Sequence, residues 1–168
     1  NEFKKLAVFL AAVHDIGKAI VVFQYKIGDK LPERKSALEA SGINFDVSYD
    51  KGKAKQTPHA FAGEEILNLL GCPECVSTVV RSHHGVPAES VQDLSWPQED
   101  IAFYENYYGR DKENVKVLQD IWQTIFDMAL DYAGFLDVSE LPDIDRSSQM
   151  LLSGLLIMAD WLASNTEL

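Results

Sequence analysis

His14 and Asp15 close an apolar run, Leu6 to Val13, and Gly17 and Lys18 follow at once. A carboxylate set against a hydrophobic segment is costly unless a positive partner compensates it, and an adjacent imidazole makes a divalent cation a natural partner. Any fold for this chain must bury the run while leaving these two polar groups where they can receive charge. The same pattern recurs at His59, at the doublet His83-His84 before Gly85, and at Asp160 inside the apolar stretch Leu151 to Ala163. All four histidines of the chain therefore fall in one candidate constellation.

Consecutive residues on a regular helix diverge by about 100°. His14 and Asp15 can reach two neighbouring sites only at a helix end or kink, where the two carboxylate oxygens could bridge two metals. The ordinary alternative is a histidine facing the helix dipole beside a solvated aspartate. Asp160, in L-L-S-G-L-L-I-M-A-D-W-L-A, is expected among side chains buried on most faces, so a metal or an ion pair with Lys18 or Arg81 must lie nearby. Ser164, one turn on, is expected to satisfy a backbone carbonyl. Lys18 would set an ammonium beside the centre, where cationic groups stabilise phosphoryl transfer, although an isolated lysine at a helix start is usually solvated.

Helical spacing dominates the rest. Phe3, Leu6, Ala7, Phe9, Leu10 and Val13 define a first helix that ends or bends near His14-Asp15 and Gly17, and a second covers about 18–27. Residues 28–57 are polar and turn-rich, with Pro32, Gly42, Gly52 and alternating Lys51, Lys53 and Lys55. They read as a variable insertion in which 33–40 can form a short helix. Pro58 suits a first helical turn, and His59, Ala62, Gly63, Ile66, Leu67 and Leu70 carry a helix that Gly71 ends. A helix over about 74–83 should stop at Gly85, 86–100 is loop, and 101–108 is a short aromatic helix. A long amphipathic helix over about 112–135 turns Val115, Leu118, Ile121, Trp122, Ile125, Phe126, Ala129 and Ala133 inward, and the last helix covers about 146–163. With no alternating strand pattern and no internal repeat, the expected class is all-α, a helical bundle in a single domain. A chain of 168 residues can bury its core without disulfides.

The formal charge of −11 argues against a nucleic-acid partner, because phosphate backbones usually meet basic surfaces. Its distribution softens that objection. Residues 1–85 hold eleven basic and ten acidic side chains, residues 86–145 three and fourteen, and residues 146–168 one and two. The acidity thus sits in the segment that holds none of the candidate site residues. Cys72 and Cys75, spaced C-P-E-C, are half of a thiolate metal site, and two reduced thiols near a helix start are the expected reading. No apolar stretch reaches the length of a bilayer span and no secretory signal opens the sequence, so a soluble, cytoplasmic protein without membrane association is expected. The sequence opens at Asn1 with a helical pattern already running by Phe3, and an N-terminal segment is expected to be missing.

The ordered set H-D-I-G-K-A with Phe23-Gln24, P-H-A-F-A-G-E at 58–64, S-H-H-G at 82–85 and A-D-W-L-A-S-N at 159–165 resembles the HD superfamily. More narrowly, it is similar to the HD nuclease domain of the CRISPR-associated nuclease-helicases of type I systems, over nearly the whole chain, with 28–57 and 86–145 as the variable parts. The resemblance implies an HD-domain helical bundle that cuts single-stranded DNA in CRISPR interference. It would act with a helicase domain or subunit recruited by an RNA-guided surveillance complex. By motif position it implies His14, Asp15 and Asp160 at a first metal and His59, His83 and His84 at a second. Asp15 would bridge the two, and Asp15 and Lys18 would be catalytic. A further family histidine upstream of the HD helix has no counterpart here. Two divalent transition-metal ions are the implied cofactors, and imidazole-rich ligation suits manganese, nickel, cobalt or iron better than magnesium. Two other readings remain open. One is an HD phosphohydrolase acting on nucleotides or cyclic nucleotides, and the other is a non-catalytic, metal-stabilised helical interaction module.

Overall fold

The computed structural model describes residues 2–28, 30–45, 57–84 and 101–165. Among these residues the structure is all-α, with helices α1 (Glu2–Val13), α2 (Val21–Gly28), α3 (Pro32–Ala40), α4 (His59–Leu69), α5 (Glu74–Arg81), α6 (Ile101–Tyr108), α7 (Glu113–Ala133) and α8 (Arg146–Ser164). Expectations that fall on Gly85, on Lys51, Gly52, Lys53 and Lys55, or on 86–100 lie outside the described residues.

α1 buries Leu6, Phe9, Leu10 and Val13, a stripe at the spacing of one helix face. The Phe9 ring meets Phe126 and Phe135 edge-on, with centroids 5.6 and 6.4 Å apart, which joins α1 to α7 and the loop behind it. On α7 the inward side holds Leu118, Trp122, Phe126, Ala129, Leu130 and Ala133, while Val115, Ile121 and Ile125 pack at its margin. α7 ends where Gly134 adopts φ +83°, a left-handed stop that suits glycine.

The α1 helix stops at Val13 because Ile16–Lys18 tightens into a 3-10 turn, with the Lys18 amide bonded to the Asp15 carbonyl at 2.8 Å. The second helix consequently starts at Val21, three residues later than its apolar pattern suggests. The turn lies directly on the first turns of α4. A Cβ at Gly17 would penetrate the His59 carbonyl and sit 2.5 Å from the Gly63 amide nitrogen, so backbone meets backbone there. Gly71, at φ +83°, turns the chain from α4 into α5. Pro58 and Pro73 cap these two helices from the position just before the first turn, so Pro58 lies one residue ahead of its expected place. α5 ends at Arg81 and a 3-10 turn, Ser82–His84, continues from it.

α8 departs from expectation. Its start is capped by Asp145, whose carboxylate accepts from the Ser148 amide at 2.8 Å. Leu152 and Leu156 alone are fully buried on it, whereas Met150, Leu151, Leu155, Met158, Trp161 and Leu162 are exposed. The helix packs by one narrow side, so Asp160 is not enclosed on most faces. Cys72 and Cys75 are both unbridged thiols, in agreement with the sequence reading, and burial, aided by Cys75, pushes the Cys72 thiol up to about 12. No single helix among the described residues is long and apolar enough to cross a membrane.

Two glycines give opposite expectations. Gly17→Ala should destabilise the chain by about 3 kcal/mol or more, because the obstructing atoms are backbone. Gly154→Ala, where an added Cβ meets nothing within 4 Å in a helix interior, should stabilise it by about 0.5–1 kcal/mol. Urea unfolding of both variants checks this pair.

Candidate metal centre

Each candidate imidazole stands at a helix boundary, His59 at the start of one and the others just past the ends of two more. His14 follows α1, and its Nδ1 donates to the Ala11 carbonyl at 2.8 Å. His83 follows α5, and its Nδ1 donates to the Val80 carbonyl at 2.5 Å. A carbonyl can only accept, so both rings carry a proton on Nδ1 and leave Nε2 as the atom that faces the site. Both Nε2 atoms are buried and have no hydrogen-bond partner among the described residues. A carbonyl-oriented imidazole with a free Nε2 is the arrangement that metal-binding histidines adopt.

His59 opens α4, with its Nε2 2.8 Å from His84 Nε2 and 3.4 Å from Asp15 Oδ1. One ligating atom from each of His59, His83 and His84 lies within 4.8 Å of the others. The expected convergence of these three imidazoles at one end of the α4–α5 hairpin is therefore present. The ring of Phe23 stands edge-on to His59 at 5.5 Å.

Asp15 faces both groups. Its Oδ1 points to His59, and its Oδ2 lies 3.4 Å from His14 Nε2 and accepts from Lys18 Nζ at 2.5 Å. Asp160 approaches from α8, with Oδ1 3.6 Å from His14 Nε2. The six candidate ligands and Lys18 thus share one locality. Neither basic residue suggested as a partner for Asp160 serves it. Lys18 is bonded to Asp15, and Arg81 pairs at 2.7 Å with Glu64, a buried carboxylate that also accepts from Thr78. Ser164 also differs from expectation. Its hydroxyl lies 3.4 Å from Asp160 Oδ1 rather than on a backbone carbonyl, because Asp160 occupies the same helix side one turn earlier.

The protonation states suit a cation. Burial, reinforced by the neighbouring His84, lowers the His59 pKa to about 4 against the opposing pull of Asp15. Burial likewise lowers His83, opposed by its bond to Val80. At Asp15 burial works upward, but the Lys18 hydrogen bond and the charges of His14, Lys18 and His59 prevail and hold the carboxyl below its ordinary value. Near pH 7 the site presents neutral His59 and His83 rings and an ionised carboxylate, as metal ligation requires. Buried ring nitrogens without a hydrogen-bond partner are unfavourable, and a divalent cation would satisfy them. The donor set fits such ions.

Sequence reasoning missed the Glu64–Arg81 pair that ties α4 to α5, and Phe23 as a brace for His59. A carboxylate one turn beyond His59 and an arginine ending the next helix were the only available signals for the first.

The family model described as Cas3, HD domain matches residues 1–168. The CRISPR-associated nuclease/helicase Cas3 of Streptococcus thermophilus is 38% identical over 174 residues, which cover 98% of this chain and 18% of that protein. The chain therefore spans a minor part of that relative's length. No solved structure matches it.

The His59 ring of chelator-treated protein should titrate near 4 rather than 6.5, as followed by its imidazole resonances in NMR. The sign of the stability effect follows. Between those values the unfolded chain binds the extra proton, so the contribution of His59 is complete above about 6.5 and lost as pH falls toward about 4.

Proposed function

This chain belongs to the Cas3 HD-domain family, and on that premise we propose that it is a metal-dependent nuclease hydrolysing phosphodiester bonds of single-stranded DNA in CRISPR interference. The observation that carries the reading is the Asp15 carboxylate, with one oxygen toward His59 and the other toward His14. His14, Asp15 and Asp160 would hold one ion, and His59, His83 and His84 the second. The bound cations supply Lewis acidity and charge neutralisation at the phosphate. Imidazole-rich donors favour manganese, nickel, cobalt or iron over magnesium.

The chain's own groups contribute the rest. Lys18 donates to Asp15 in this structure, and its ammonium, on a flexible stem, would neutralise charge at a non-bridging phosphate oxygen. Ser164 supports Asp160 from one turn away. The Asp15 and Asp160 side chains are 34% and 30% exposed, enough for an extended strand to reach them. The relative's description as a CRISPR-associated nuclease/helicase supports an associated helicase domain or subunit as this chain's partner, and an RNA-guided surveillance complex and a cytoplasmic setting are proposed with it.

Metal-loaded protein should open circular single-stranded DNA. EDTA should abolish the cleavage, and manganese, cobalt, nickel or iron should restore it better than magnesium. Asp15→Ala should lose roughly 10³-fold or more in rate, and Lys18→Met roughly 10- to 100-fold. Hydrolysis of nucleotides with the circle left intact would instead establish the phosphohydrolase reading. Metal uptake with no hydrolysis of either would establish the interaction module.

A further inference from the structure

The chain leaves the Ile16–Lys18 turn through two carbonyls that side chains, not backbone amides, satisfy. Gln24 Nε2 donates to the Lys18 carbonyl at 2.6 Å, and Trp122 Nε1 donates to the Ala19 carbonyl at 2.7 Å. Trp122 is wholly buried and would be required by the core in any case. Gln24 is different. Its Oε1 is buried and meets no donor among the described residues. A buried amide oxygen without a donor weakens a fold, whereas an apolar side chain of equal length would fill the same space without that penalty. The orphan oxygen therefore offsets part of what the Nε2 bond contributes, at the point where that bond holds the backbone behind Asp15 and Lys18. The preceding residue, Phe23, braces His59 from the same helix.

We propose that Gln24 is a positioning residue. Through the Lys18 carbonyl it fixes the turn that presents the Asp15 carboxylate and the Lys18 ammonium. This inference rests on the metal-binding part of the nuclease reading, because it takes Asp15 as a metal ligand.

Gln24→Met removes both amide groups at constant length, and Gln24→Glu keeps the shape and an acceptor but lacks the donor. Three quantities are measured for each: the thermal midpoint of the metal-free chain, the visible absorption bands of the cobalt(II)-loaded chain, and kcat and KM on circular single-stranded DNA. Gln24→Met should melt within about 4 °C of the wild-type midpoint, bind cobalt with altered bands, and lose roughly 10- to 100-fold in kcat with KM within about twofold. Gln24→Glu should not rescue the bands or kcat. A midpoint lowered by more than that in Gln24→Met, or unchanged bands and kcat, overturns the proposal and leaves the amide a structural group. If wild type takes up no cobalt, the nuclease reading falls and this inference with it. If wild type binds cobalt and cuts, and Gln24→Met matches it, this inference alone falls. If wild type binds cobalt but cuts nothing, the midpoint and the bands decide.

Discussion

The turn that carries Asp15 and the helix that carries His59 touch backbone to backbone at Gly17, and the geometry of the centre follows from that contact. With no side chain between them, the Asp15 carboxylate reaches an imidazole from a segment more than forty positions along the chain at 3.4 Å. Any larger residue at position 17 would separate the two elements and with them the two sides of the cluster. The neighbouring Gly63 continues the same close approach, with the Gly17 nitrogen 3.5 Å from the point its own Cβ would occupy.

Around this contact the polar groups are arranged so that protein atoms orient the rings without consuming their ligating atoms. The Ala11 and Val80 carbonyls, in the last turns of α1 and α5, accept from Nδ1 of His14 and His83. The helix end thus orients the ring and turns its Nε2 toward the centre. The Glu64–Arg81 pair performs a separate task, holding α4 to α5 while keeping the arginine away from the imidazoles.

Much of this was legible in the sequence because it depends on local pattern. The apolar stripe of α1 ending at His14-Asp15, the α4–α5 hairpin turned by Gly71, and the inward side of α7 all come from spacing within one element. The errors are of two kinds. An apolar stretch such as 151–163 looks the same whether it is buried on several sides or on one, so the exposure of Met150, Leu151, Leu155, Met158, Trp161 and Leu162 could not be read from composition. Bonds that cross elements carry no sequence signature. The Gln24 amide reaches a carbonyl six positions back and the Trp122 indole one 103 positions back, and only the folded chain shows that both close the same turn.

The narrow seating of α8 makes the two halves of the centre unequal. Beyond Leu156 the helix has no fully buried side chain, yet Asp160 and Ser164 stand on that unanchored end. Local unwinding from the C-terminal side would carry them away without disturbing His83, which is buried in the core, or the helix start that holds His59. The Asp160 arm is thus the side of the centre that the core does least to fix, and its ligand position depends on how firmly the last turns of α8 stay wound.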